Sequence, residues 1–222
     1  MIQPLVVIAR IHTDFPDKFG VPRQSGTPLV MGRIVMEPPY RQADAFRGIE
    51  EYSHLWLLWA FSLERHDGFA PMVRPPRLGG NRRMGVFATR SPNRPNPIGL
   101  SVVRLVRLSH EAEGPVLYVE GVDMVDGTPI YDIKPYLPYV DCVADALGGF
   151  GERHLGDDVA VAFACEVDEE LQQTLTQILR QDPRPHYHED GRVYGMRYRD
   201  LEVKFCVEGG TLTVLKVEKR DD

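Results

Sequence analysis

Apolar positions in the first two thirds of the chain fall into short runs rich in β-branched and aromatic residues. They are LVVIARI (Leu5–Ile11), LVMGRIVM (Leu29–Met36), HLWLLWAF (His54–Phe61), MGVFA (Met84–Ala88), LSVVRLVRL (Leu100–Leu108) and VLYVEGVDMV (Val116–Val125). Turn-forming stretches separate them: FGVPRQSGTP, RPPRLGGN, EAEGP and VDGTP. Several short strands with almost no helix between them predict an antiparallel barrel or sandwich. One short helix is expected at Gln42–Glu51, where Ala43, Phe46 and Ile49 lie three apart and Asp44 sits near the start.

The pattern lapses in DCVADALGGFGERHLGDD, between Asp141 and Asp158, which reads as a linker. Beyond it, VAVAFAC predicts a strand and DEELQQTLTQILRQ a helix. Leu171, Leu175, Ile178 and Leu179 share one face of that helix, and Asp168, Glu169 and Glu170 load its N-terminus favourably. VYGMRY, LEVKFCV and TLTVLKV then read as a three-strand sheet, the last two strands joined by a Glu-Gly-Gly turn. The expected class is mainly β. An antiparallel β-barrel over 1–140 and a linker over 141–157 precede a small α+β domain over 158–222.

A chain of 222 residues with 43% apolar content is long enough to bury a core and has a globular composition. The run LWLLWAF, Leu55–Phe61, is far too short to cross a bilayer, and residues 1–10 lack a basic, cleavable leader pattern. A cytoplasmic protein without membrane attachment is expected. Cys142, Cys165 and Cys206 are widely spaced and odd in number, so they read as reduced, buried, small apolar residues.

Charge changes this picture. Net charge is −6, yet no Asp or Glu occurs from Gly68 to His110, where eight arginines fall, leaving −14 for the rest of the chain. Arginine outnumbers lysine 21 to 5. Guanidinium groups suit phosphate or carboxylate bidentately, so a phosphate- or RNA-facing surface is expected despite the acidic total.

Standard nucleotide and catalytic loops are missing. There is no GxxxxGK[ST] and no GxSxG, and LGGFGE (Leu147–Glu152) neither follows a strand nor opens a helix. His186 and His188 lack a nearby third ligand, so no metal site is expected, and His54 reads as a core histidine. What stands out is TRSPNRPNPIGLS, Thr89–Ser101. Pro92, Pro95 and Pro97 fix their own φ and push Ser91, Arg94 and Asn96 out of the α region. Arg90, Asn93, Arg94 and Asn96 therefore project from a stiff frame that costs little entropy to order, as a pocket wall for a small polar ligand requires. A stiff strand connection is the plainer alternative, but stiffness alone does not call for two arginines and two asparagines.

RSPNRPNPIGLS resembles the signature of the TsaA-like β-barrel proteins, the TrmO family of tRNA methyltransferases. The resemblance continues through FGVPRQ (Phe19–Gln24), YRQADAFRGIEEYSHLWLL (Tyr40–Leu58), RPPRLGGNRRMGVFATRSPNRPNPIG (Arg74–Gly99), VDMVDGTPIYDIKPYLPY (Val122–Tyr139) and QDPRPHY (Gln181–Tyr187). It implies a TsaA-like barrel that binds S-adenosyl-L-methionine, a homodimer, and methylation of N6 of threonylcarbamoyladenosine beside the anticodon of tRNA. Carried over by position, the cofactor contacts would be Pro22, Arg23 and Gln24; Arg90; Ile98, Gly99 and Leu100; and Asp123, Met124, Val125 and Asp126. Ser62 and Leu63, standing where family members often carry His-Gln, are carried over as cofactor contacts as well, through their backbone.

Chemically, Asp123 and Asp126 suit ribose hydroxyls or an ammonium, and Arg23 or Arg90 suits a carboxylate. Asp126 precedes Gly127, so capping a turn is an equal alternative for it. The acceptor nitrogen belongs to a urea whose lone pair is delocalised, so a general base helps. Asp132 is the candidate, Lys134 would hold negative charge, and Tyr136 would stack or hydrogen-bond. Arg74, Arg77, Arg82, Arg83 and Arg94 are candidate phosphate contacts, with Arg184 and Tyr187 reaching tRNA from the second domain. The alternatives are an RNA-binding barrel that holds a small ligand without transferring anything, and a methyltransferase with another acceptor.

Overall fold

The computed structural model of the chain describes residues 4–26, 30–63, 70–75, 82–152, 158–184 and 190–220. Strand β1 is Ala9–Thr13, β2 Met31–Met36 and β3 His54–Ala60. A two-stranded ribbon, β4 (Met72–Val73) with β5 (Met84–Gly85), precedes the long β6, Ile98–Glu111. Then come β7 (Gly114–Glu120), β8 (Thr128–Pro135) and the single turn α1, Pro138–Asp141.

Six strands close into a barrel in the order β1-β2-β7-β6-β3-β8, every pairing antiparallel. Alternation sets its inside: Leu55, Leu57 and Trp59 of β3 are buried while Trp56 and Leu58 between them are half-exposed. Ile11, Ile34, Val103, Leu117, Val119 and Ile130 complete the interior from the other strands. Closure removes sheet edges, which is how an all-β unit with short strands avoids open pairing.

The rest of the chain adds β9 (Ala160–Phe163), α2 (Glu169–Leu179), β10 (Tyr194–Tyr198), β11 (Leu201–Glu208) and β12 (Thr211–Lys219). The sheet runs β10-β11-β12-β9, with β9 parallel to β12. It therefore has four strands, not three, because β9 crosses through α2 and pairs at the far edge. Asp168 caps α2 by accepting the Leu171 N–H at 3.0 Å, and Leu175, Ile178 and Leu179 are buried. The class is mainly β, a closed antiparallel barrel with few helices.

Other expectations shift. The helix over Gln42–Glu51 is two short 3-10 turns, Ala43–Phe46 and Ile49–Glu51. Gly48 between them sits in the left-handed region at φ 85°, which stops an α-helix from propagating. MGVFA is a strand only at Met84–Gly85 and then a 3-10 turn. The N-terminal strand begins at Ala9, four residues after Leu5. Cys142 is exposed, and Cys165 and Cys206 are half-buried, so none is the fully buried apolar residue that was expected. Among the described residues no helix is long and apolar enough to cross a membrane.

One connection departs from the barrel. Between β1 and β2 the chain leaves at Thr13, runs across the second sheet, and returns where the Gly26 N–H donates to the Gly121 carbonyl at 2.8 Å. Gly121 has φ 84°, and a Cβ there would meet the Gly26 backbone at 3.0 Å. The close approach of two glycine backbones thus sets the return point.

Candidate functional site

The Thr89–Ser101 connection is stiffened by its own polar groups as well as by its prolines. Thr89 Oγ1 donates to the Val86 carbonyl at 2.8 Å and accepts the Ser91 N–H at 3.3 Å. The Asn93 N–H donates to Ser91 Oγ at 3.2 Å. Arg94 folds back, its Nη1 donating to the carbonyls of Thr89 at 3.0 Å and Ser91 at 3.4 Å. Arg94 is thus a brace of this loop. Asn93 Oδ1 is enclosed without a hydrogen-bond partner, an open acceptor in the wall.

Arg90 leaves the loop in another direction, and its Nη1 donates to Gln24 Oε1 at 2.7 Å. Next to Gln24, Ser25 Oγ accepts the Val102 N–H at 3.2 Å. The loop after β1 and the loop before β6 are thereby joined side by side. Where they meet, a chain of hydrogen bonds runs out of the barrel interior: Trp59 Nε1 to Ser101 Oγ at 2.9 Å, then Ser101 Oγ to Asp123 Oδ1 at 2.7 Å. Burial raises the Asp123 carboxyl to about 6, against the lowering pull of Ser101, of its own and the Ser25 backbone N–H groups, and of Arg90. A carboxylate in such a setting, beside a guanidinium and an amide, is a functional-site candidate on physical grounds.

Gly99 belongs to the same corner. It faces inward, and a Cβ there would overlap the Trp59 indole ring, so glycine is required for the tryptophan to reach Ser101. Inward-facing Ser101 interrupts the alternation Gly99, Ser101, Val103. A polar residue at an inward position was the available sign of this network, yet neither Ser101 nor Trp59 nor Ser25 was picked out from sequence.

The other expected cofactor residues divide. Pro22 is buried beside Arg23, whose Nη2 donates to the carbonyls of Asp182 at 2.8 Å and Arg184 at 3.3 Å. Met124 is in the core. The Val125 carbonyl accepts Thr128 Oγ1 at 2.6 Å. Asp126 Oδ1 accepts the Thr13 N–H at 3.1 Å and meets His12 Nδ1 at 3.2 Å, tying the β7–β8 turn to β1. Its carboxylate thus spans to β1 rather than capping its own Asp-Gly turn. Ile98 and Leu100 face outward, Leu100 opposite Leu58. Ser62 and Leu63 are exposed just past β3.

The expected catalytic residues lie on the barrel's outside. Asp132 shares a row with Leu58 and Leu100, and Lys134 a row with Trp56 and Val102. Lys134 Nζ and Asp132 Oδ2 pair at 2.7 Å. The Tyr136 ring lies 5.7 Å from that of Trp56 and 6.3 Å from that of His54. Trp56 Nε1 donates to Asp141 Oδ2 at 2.9 Å, which holds α1 against this face.

Arg74, Arg82 and Arg83 are exposed around the β4–β5 ribbon, while Arg77 and Tyr187 lie outside the described residues. Arg184 is engaged, paired with Asp182 at 2.9 Å and Asp190 at 2.9 Å, with its side chain only 14% exposed. Part of the acid-free stretch is likewise engaged: Arg104 pairs with Glu120, and Arg107 stacks 3.6 Å over the Tyr118 ring centroid.

A closed antiparallel barrel with a polar, proline-stiffened wall and a half-buried carboxylate, followed by a small α+β domain, defines the class of the protein. The chain belongs to the tRNA-methyltransferase O family: the tRNA-methyltransferase O N-terminal domain matches residues 10–142 and the TrmO C-terminal domain matches 159–220. It is 42% identical to the tRNA (adenine(37)-N6)-methyltransferase of Escherichia coli over 96% of this chain and 97% of that one. It is 44% identical to a Pseudomonas aeruginosa protein described as a putative S-adenosylmethionine-dependent methyltransferase, over 88% and 89% of the two chains. A crystal structure of TrmO from P. aeruginosa superposes with a TM-score of 0.78 at 36% identity, covering 99% of this chain and 98% of that one.

Proposed function

We propose that this protein transfers a methyl group from S-adenosyl-L-methionine to N6 of threonylcarbamoyladenosine, next to the anticodon of tRNA. The observation that carries the cofactor half is the Trp59–Ser101–Asp123 chain ending beside Arg90 and Gln24. S-adenosylmethionine is a sulfonium that supplies an electrophilic methyl group, and its other ends are an adenosine and an amino-acid zwitterion. The wall suits those ends: Asp123 offers a carboxylate to ribose hydroxyls or the ammonium, and Arg90 a cation. Gly99 lets the inward Trp59 indole fill the corner and hold Ser101 toward Asp123.

On the acceptor side, Asp132 takes the proton of the urea nitrogen, Lys134 holds the threonyl carboxylate, and Tyr136 packs against the base. Exposed Arg74, Arg82 and Arg83 meet tRNA phosphates from the ribbon. The protein works in the cytoplasm, where such tRNA is found, and as a homodimer. The exposed Tyr139 and Val140 of α1, beside the rows that carry Asp132 and Lys134, form an apolar patch that a second copy would cover.

The deciding experiment is methyl transfer from labelled cofactor to tRNA prepared with and without the threonylcarbamoyl group. Transfer to the modified tRNA alone is expected. Equal transfer to both removes the acceptor assignment, and cofactor binding without any transfer leaves only a ligand-binding barrel.

A further inference from the structure

The loop that brings Gln24 and Ser25 to the cofactor wall is seated on the second domain before it gets there. At its start, Asp14 Oδ2 accepts Tyr198 Oη at 2.9 Å and Arg199 Nε at 2.9 Å, and the Asp14 carbonyl accepts the Arg199 N–H at 2.8 Å. Phe15 is fully buried, with its ring edge-on to Tyr198 at 5.6 Å. In the middle, the Phe19 ring stacks on Phe205 and on Tyr194, each at 6.2 Å between centroids. Gly20, at φ 95°, lies so close to the Met196 side chain that a Cβ would overlap it. At its end Arg23 donates to the Asp182 and Arg184 carbonyls. The next two residues are Gln24, bonded to Arg90, and Ser25, bonded to Val102 and beside Asp123.

This stretch belongs to no strand or helix, so no ladder of its own fixes it. An irregular segment loses backbone freedom when ordered, and contacts must offset that loss. Its start, middle and end are all held by β10, β11 and the turn after α2. The acceptors for Arg23 are also held: Asp182 is buried, has φ 46°, and pairs with Arg184, which reaches Asp190 as well. The second domain thus presents a socket and the barrel's loop fills it.

We propose that the second domain is a positioning element for the cofactor loop: by gripping Asp14, Phe19 and Arg23 it holds Gln24 and Ser25 against Arg90 and Asp123. The inference rests on the cofactor lying at that wall. It assigns the second domain a role in cofactor affinity separate from any contact with tRNA. By linkage, whatever tightens the loop around the cofactor also tightens the socket, and the effect is reciprocal.

The test uses the full chain and S-adenosylmethionine, without tRNA. Phe19→Ala and Tyr194→Leu alter the socket from its two sides, and neither residue touches Gln24, Arg90 or Asp123 in the described contacts. Titration calorimetry should show cofactor affinity reduced about tenfold in both variants, while tRNA affinity without cofactor stays within twofold of the parent. A parallel measurement needs no substitution. In the unaltered protein, cofactor should slow amide hydrogen exchange in Tyr194–Tyr198 as well as in residues 19–25. Parent-like cofactor affinity in both variants, or unchanged exchange across Tyr194–Tyr198, overturns the proposal. An unaltered protein that binds no cofactor instead overturns the reading of the wall itself.

Discussion

Asp123 and Asp132 are nine positions apart and occupy opposite settings. Asp123 ends a hydrogen-bond chain from the barrel interior, and burial raises its carboxyl to about 6. Asp132 lies on the barrel's outside, with its side chain 42% exposed, paired with Lys134 and accepting the Ile133 N–H at 2.9 Å. The first carboxylate is kept partly out of water and connected to tightly packed neighbours. The second sits where solvent screens its partner, and such pairs contribute little to stability. The difference teaches what each can do for the reaction. A fixed, desolvated carboxylate orients a bound ligand, whereas an exposed one is accessible to a macromolecular acceptor.

The strongest way to break that contrast is to disturb the buried chain at its root. Gly99→Ala places a methyl group into the Trp59 ring, and overpacking of this kind typically costs about 1–3 kcal/mol. The ring must move away from Ser101, so Asp123 loses its support. Thermal unfolding should shift down by several degrees and cofactor binding should be lost in calorimetry. A variant with parent-like affinity would show that the chain does not hold Asp123. Next in size is Asp123→Asn, which keeps the shape and removes the charge. A charge-assisted hydrogen bond contributes about 1.5–3 kcal/mol, so affinity should fall about ten- to a hundredfold.

How these settings were legible follows from the same residues. The apolar runs HLWLLWAF and LSVVRLVRL marked β3 and β6 as strands, because strand propensity is a local property, but which of their residues face inward came from the structure. The proline loop was visible because proline acts on its own and its preceding residue. Asp123, Gln24 and Arg90 were singled out through family resemblance, with Asp123 and Arg90 also chemically apt. Their meeting depends on Gly26 contacting Gly121 and on Arg90 crossing to Gln24, contacts between distant parts of the chain that no local pattern encodes. The ion pairs of Arg184 with Asp182 and Asp190 were illegible for that reason too, since local sequence does not say which acids an arginine meets. Gly48 inside an apparently helical stretch was a local signal of the two short turns.

pH sharpens the comparison further. The Asp123 carboxyl rises from 3.8 to about 6, so between those values the folded protein holds a proton that the unfolded chain has released. Stability from this group is therefore greatest at low pH, falls as pH rises through that window, and stays at its lowest above it. The span corresponds to about 3 kcal/mol, the net of the burial cost and of the hydrogen bonds and Arg90 charge that offset part of it. Asp123→Asn should consequently be as stable as the parent, or more so, at pH 8, and lose that advantage by pH 4. Cofactor affinity should move the other way in the parent, weakening up to about tenfold per pH unit below 6 as the carboxylate is protonated, and Asp123→Asn should lack this dependence. Calorimetry at pH 5 and pH 8 reads it directly. A parent affinity that does not change between them would mean that the carboxylate charge makes no contact with the ligand.

The smallest effect on folding belongs to the outer pair. Asp132→Asn and Lys134→Met each remove half of an exposed ion pair, so unfolding free energy should change by no more than about 0.5 kcal/mol. Cofactor affinity should stay within twofold, since neither side chain reaches Gln24, Arg90 or Asp123 in the described contacts. The rate of methyl transfer is where the two carboxylates should part. A positioned general base contributes roughly 10²–10⁴-fold, so Asp132→Asn should lower kcat by that factor with little change in the KM for cofactor. Lys134→Met should raise the KM for tRNA more than it lowers kcat, as expected for a group that holds the acceptor's carboxylate. If Asp132→Asn transfers methyl at the parent rate, the proton leaves by another route. The outer face would then serve only to bind the acceptor or a second copy of the chain.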